Sequence, residues 1–293
     1  MDRPPFTIWY HFGLQYAPAE RTAQAHLEFL DTYHLDWLKV MNDYSYPMPA
    51  GVETLSDARD LTRLTPLDVT AGPMGEQLKV VEILAHALRG RALFVDTVFN
   101  AWNTLRRNIV KGAMERFMRD HANEVEAALA VVNDNLRRYA LASLARGAAG
   151  IFLSVPATAE SVTLEQYERF MRPFDLELLE SLRGRGECHI LHAHGTQLHF
   201  DRLLDYPVHA LSWGDRDGGP SLAEARRRTS LALVGGINHT DFPSLAAIEI
   251  RELIQTAVAE AGREKLLLAP GCAVPTYSFP ELIRAARDAA TRV

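Results

Sequence analysis

Eight short apolar runs, rich in β-branched and aromatic residues, punctuate the chain at 6–12, 36–42, 92–99, 150–155, 189–194, 208–213, 231–237 and 266–270. Longer stretches with helical periodicity separate most of them. Alternation of this kind predicts parallel strands joined by helical crossovers. A count of eight predicts an α/β fold, a (β/α)8 TIM barrel forming a single domain over 1–293, because such barrels run to about 250 residues. An open doubly wound sheet is the alternative, but no glycine-rich phosphate loop follows the first run.

The intervening stretches carry helix signals. Residues 76–90 place Leu78, Val81, Leu84 and Leu88 on one face and end at Gly90, a C-cap residue. Thr163 and Gln166 have capping-box spacing, and Pro173 is expected to kink or split the helix they open. Pro243 is expected near the first position of a helix that closes at Gly262. The stretch 101–146 reads as two helices or one bent one.

Composition narrows the function. A hydrophobic share of 47% supports an ample core, and a net charge of −6 with dispersed Lys and Arg offers no face for a phosphate backbone. A nucleic-acid partner is therefore not expected. No apolar run approaches the roughly 18 residues of a membrane helix. The N-terminal residues lack a signal-peptide pattern, and two cysteines cannot build a disulfide framework, so a cytoplasmic setting is expected. Cys188 begins a strand and Cys272 follows another, which places them at opposite ends of a barrel and too far apart to pair.

A barrel carries its active site at the C-terminal ends of its strands. Those ends read His11, then Asn42 and Asp43, Asn100, Ser154, His192 and His194, Asp215, Asn238 and His239, and Cys272. In a strand, residues i and i+2 share a face, so His192 and His194 project side by side. With Cys272 they form a zinc donor set that leaves a fourth position open; cobalt, nickel or copper suits the same donors. Taken singly, each has a plainer reading: strand-end histidines bond backbone, and a buried cysteine fills space. Asp43 can stabilise a cation or move a proton, or it can simply form a turn. His239 reads as a ligand, an acid or a loop histidine. Arg106 and Arg107 read as carboxylate binders or solvated helix residues, and the helical period turns only one of them inward.

Three segments carry a family resemblance. "IWYHFGLQYAP" resembles the opening "W-x-M-R-Q-A-G-R-Y-x-P" of the uroporphyrinogen decarboxylase superfamily, and "DWLKVMNDYSY" resembles its "D-x-x-x-x-F-S-D" strand with the essential aspartate, here Asp43. "LLLAPGCAVPTYSFPELIRAA" resembles the "APGC-x-x-P…P-E-N-x-x-A" ending of the metal-binding branch. That branch transfers alkyl groups to thiols: coenzyme M methyltransferases, cobalamin-independent methionine synthase and epoxyalkane–thiol transferases. The resemblance implies zinc, a small-molecule substrate, a corrinoid or folate methyl donor, a corrinoid-protein partner, and a monomer or homodimer.

The departures matter as much. His11 and Gln15 stand where decarboxylases place two arginines, Asn108 falls where they place a tyrosine, and Cys272 replaces a histidine-glycine element. A substrate with eight carboxylates needs cationic forks that His and Gln do not supply. The His-x-Cys of the zinc branch reads His192-Ala193-His194, so one thiolate has become imidazole. Such a site is less electron-rich and a better Lewis acid. Zinc-dependent alkyl transfer is the first reading, with His192, His194, Cys272 and Asp215 as ligands. Asp43, His11 and His239 are then the catalytic candidates, and Gln15, Asn42, Asn100, Arg106, Asn108 and Asn238 the substrate contacts. Decarboxylation through Asp43 is the second reading, and a non-catalytic metal- or corrinoid-protein-binding role the third.

Overall fold

The computed structural model describes residues 3–293. Among them, seven regular strands form one parallel sheet in chain order: β1 (Trp37–Val40), β2 (Leu93–Phe99), β3 (Gly150–Val155), β4 (Ile190–Ala193), β5 (Ala210–Trp213), β6 (Ala232–Ile237) and β7 (Leu266–Pro270). Each lies within a run read from the sequence. Buried on both faces, the strands have no reason to alternate polar with apolar residues; β3, GIFLSV, is buried at every position.

The expected first strand, 6–12, is the one that departs. It contributes a single parallel bridge, Phe6 to Leu268. Around that bridge, Thr7 N–H donates to Leu268 C=O at 3.0 Å and Leu268 N–H to Pro5 C=O at 2.8 Å, while Asp36 N–H donates to Phe6 C=O at 3.0 Å. The segment thus touches both ends of the sheet without becoming a regular strand. Pro4 and Pro5 lack N–H donors, and Trp9 C=O is taken by Val274 N–H in the loop after β7. The fold is a curled, TIM-barrel-like sheet of seven strands rather than the regular eight-stranded barrel expected.

Two apolar clusters flank the sheet. The larger lies between sheet and helices. The smaller gathers Trp9, Trp37, Met41, Val95, Phe152, Ile190, Ala210, Val234 and Ala269, with Trp9 edge-on to Phe152 at 5.7 Å. The helix over Gly72–Ala87 buries Leu78, Val81 and Leu84 as its periodicity requires, each contributing about 1.5–3 kcal/mol. It begins four residues earlier than expected, with Pro73 in its first turn. Thr163 and Gln166 form the capping box. Near Pro173 the helix breaks after Phe170 and resumes at Arg172. Pro243 sits instead in a 3-10 turn, Phe242–Ser244, and the α-helix starts only at Ala247. The 101–146 stretch is more broken than expected. A helical turn (Ala101–Thr104), a π-helical turn (Leu105–Ile109) and a 3-10 turn (Lys111–Ala113) precede helices Met114–Asp120 and Ala122–Ala145.

Candidate metal centre and cleft

His192 lies on β4, in register with Ser154 of β3 and Ser212 of β5. Its ring is buried, stacks on Phe152 with centroids 5.1 Å apart, and places Nδ1 3.1 Å from Ser212 Oγ. That hydrogen bond leaves Nε2 as the free nitrogen, the arrangement that orients an imidazole toward a metal. Burial, aided by His194, Lys39 and His239, holds its pKa well below the ordinary histidine value. His194 follows β4, its N–H donating to Val155 C=O at 2.9 Å. Burial and then the neighbouring His239 and Arg107 depress its pKa as well. Both rings are therefore neutral, the protonation state that ligates metal.

Cys272 follows β7, and its Sγ is 3.7 Å from His194 Nδ1. A Cβ on Gly271 would stand 2.7 Å from Gly214 Cα and 2.9 Å from Trp213 C=O; only glycine lets this turn sit so close to β5. Burial pushes the thiol pKa up, against the opposing Ala273 N–H and Lys39 charge. One ligand atom from each of His192, His194 and Cys272 lies within 4.8 Å of the others. Tetrahedral zinc with ordinary bond lengths sets its ligand atoms about 3.3–3.6 Å apart. Side-chain rotation of about 1 Å closes that difference, so the donors fit a zinc ion.

Asp215 does not join them. Its Oδ1 accepts from Gly236 N–H at 3.0 Å and its Oδ2 lies 3.0 Å from Arg216 Nε, which sits between Asp215 and Glu260. Burial raises its pKa to about 6 despite the Gly236 hydrogen bond and the Arg216 charge. It braces β6 rather than facing the three ligands.

The ligands line a cleft of about 730 Å³ with His11, Asn103, Arg106, Arg107 and Lys111 among its other walls. The expectation that one arginine turns inward is corrected: both Arg106 and Arg107, on the π-helical turn, line the cleft. Their guanidiniums lie over Trp102 and Phe99, at 5.3 and 5.9 Å. At the edge, His11 Nδ1 is 2.5 Å from Asp43 Oδ1. Burial alone would raise the Asp43 pKa, but the His11 contact, Lys39 and the Gly13 N–H bring it below the ordinary value.

Other expected contacts fall elsewhere. Asn100 is buried; its Oδ1 caps Asn103 N–H at 2.9 Å and its Nδ2 donates to Asp175 at 3.0 Å. Asn238 closes a turn with Asp241. Asn42 and Asn108 line a separate small pocket of about 50 Å³, and Gln15 is exposed outside the cleft. His239 pairs with Asp217, Nδ1 to Oδ2 at 2.8 Å. Burial lowers the His239 pKa despite that carboxylate.

Sequence reasoning passed over Ser212, Lys111, Asp217 and Lys39. The alternation Trp37, Lys39, Met41 was a signal for the last. Lys39 is buried, 2.8 Å from Met41 Sδ and 4.9 Å from the Phe152 ring centroid. Burial lowers its pKa to about 8, against the opposing charges of Cys272, Asp43 and Asp96.

A TIM-barrel-like sheet with histidine and cysteine donors at its strand exits describes a class of rim-site enzymes. Within that class, residues 40–293 match the uroporphyrinogen decarboxylase (URO-D) family model, and the chain belongs to that family. A methyltransferase from Methanosarcina mazei superimposes with a TM-score of 0.83 at 16% identity, covering 100% of this chain and 94% of the other. A B12-independent methionine synthase from a Shewanella species gives a TM-score of 0.54 at 14% identity, covering 73% and 64%. At these identities the likeness is one of fold. A search of curated protein sequences finds no match.

Proposed function

We propose that this protein is a zinc-dependent transferase that moves an alkyl group, in the simplest case methyl, to or from a small thiol or small carboxylated substrate. The observation that carries the reading is the convergence of His192, His194 and Cys272 on one side of the cleft. A zinc ion held there supplies Lewis acidity, which lowers a thiol pKa from about 8.5 and favours the nucleophilic thiolate. The chain's own residues do the rest. Ser212 fixes the His192 ring, and burial keeps both imidazoles unprotonated. His11, held by Asp43, faces the cleft where it can take the proton a thiol releases. A corrinoid or folate carries the alkyl group in this reading, and a corrinoid protein is the corresponding partner.

The test is methylation of small thiols by the zinc-loaded protein, with methylcobalamin and a methylated folate as donors. Thiol-dependent loss of methyl from either donor is expected. No turnover with any thiol by protein that carries one zinc per chain rejects the transfer. A second reading, decarboxylation, is favoured by the 2.5 Å His11–Asp43 contact and the ionised Asp43 it implies. It needs no metal, so activity of zinc-free protein on a carboxylated substrate, lost in Asp43→Asn, supports it. Conversion of uroporphyrinogen is not expected. Its appearance at enzymatic rates would make Asp43 the centre of the mechanism.

A further inference from the structure

Three cations on one wall of the cleft are more than the single carboxylate of a small acid engages. Arg106, Arg107 and Lys111 all line it, and none has a carboxylate within ion-pair distance among the described residues. We propose that these three side chains form a subsite for a dianionic phosphate group on the substrate. The proposal rests on the cleft being the active site and adds the chemical class of what enters it.

The sequence LRRNIVKG builds the wall in an unusual way. Leu105 and Ile109 are fully buried and pin the π-helical turn, leaving the two arginines outward between them. Lys111 then adopts a left-handed conformation, φ 50°, uncommon for a residue with a side chain. Stacking on Trp102 and Phe99 pre-orders the guanidiniums while leaving their N–H edges free.

Charge sets the ligand class. Three cations and one carboxylate, Glu160, belong to the cleft lining, so its Arg, Lys and Glu side chains carry a net charge of +2. Glu160 is itself engaged by the Thr196 hydroxyl. This local surplus stands in a chain of net charge −6. A single carboxylate occupies one guanidinium fork, whereas a phosphate ester carries close to two charges and three acceptor oxygens near neutral pH. Ser154 and Ser161 belong to the same lining.

The experiment is calorimetric titration of the full chain with inorganic phosphate and, at matched ionic strength, with acetate. Zinc-loaded and chelator-stripped protein are both titrated, and zinc content is measured on each sample. Phosphate should bind both forms, at least about tenfold more tightly than acetate. R106Q/R107Q should weaken phosphate binding about a hundredfold and K111M about tenfold, with zinc content unchanged. Equal phosphate affinity in R106Q/R107Q and wild type, or no phosphate binding by folded wild type, overturns the subsite. The two readings fail separately: a zinc-loaded protein blind to phosphate rejects only the subsite, and a phosphate-binding protein that takes no zinc rejects only the metal centre.

Discussion

Asn100 at the exit of β2 and His192 at the exit of β4 are both buried polar side chains on the same rim, yet their hydrogen-bonding capacity is spent differently. Asn100 caps Asn103 and donates to Asp175; Asp175 accepts from Tyr206 at 3.3 Å, and Tyr206 lies 2.6 Å from Tyr167. That network closes on itself. His192 spends Nδ1 on Ser212, and its second nitrogen has no hydrogen-bond partner among the described residues. The side chains of His194 and Cys272 meet at 3.7 Å on the cleft wall, Cys272 also taking the Ala273 N–H. A ring nitrogen that faces the cleft without a protein partner is available to a ligand. A satisfied side chain holds the scaffold.

The sharpest way to break this contrast is Cys272→Ala. It should abolish stoichiometric zinc, read by mass spectrometry of the purified protein, while leaving the fold intact, because Cys272 sits on a turn beyond β7. Full zinc occupancy in that variant would refute the assignment.

Asp175 probes the satisfied network through pH. Burial raises its pKa from 3.8 to about 8, against the Asn100 and Tyr206 hydrogen bonds. A carboxyl whose folded pKa is raised stabilises the fold fully below its unfolded value. That contribution falls away as pH climbs toward the folded value. Wild type should therefore lose stability between pH 4 and 8, by at most about 1.4 kcal/mol per pH unit from this group. Asp175→Asn should flatten that part of the curve without changing zinc content. Parallel denaturation curves for the two proteins across this window would count against a protonated, buried Asp175.

Ser212→Ala sharpens the comparison from the metal side. Releasing the His192 ring should weaken zinc binding about ten- to a hundredfold, measured by competition with a chromophoric chelator. An unchanged affinity would mean that the Phe152 stack alone orients the ring.

Asn238→Ala should have the smallest effect. Loss of its turn with Asp241 should cost about 0.5–1.5 kcal/mol in chemical denaturation and leave metal binding unaltered. A selective loss of substrate binding would instead restore it to the site.

Seven strands, the capping box at Thr163 and the three-donor cluster were legible in the amino-acid sequence, because each is written in local pattern. Apolar runs bounded by turn residues mark strands, and i, i+2 spacing puts two histidines on one face whatever surrounds them. The irregular segment at 6–12 was misread for the same reason: its composition suits a strand, but Trp9 C=O is claimed by Val274, 265 positions along the chain. Local pattern also could not say which polar exits are spent. Asp215 and Asn100 look as available as His192 until Gly236 and Asp175 arrive from other elements to occupy them. Nor could it show that both Arg106 and Arg107 line the cleft. The sequence by itself determined the order of the strands and the kinds of donor at their ends. The tertiary structure alone decided which donors remain free, because a hydrogen-bond partner distant in sequence is present only once the sheet has curled.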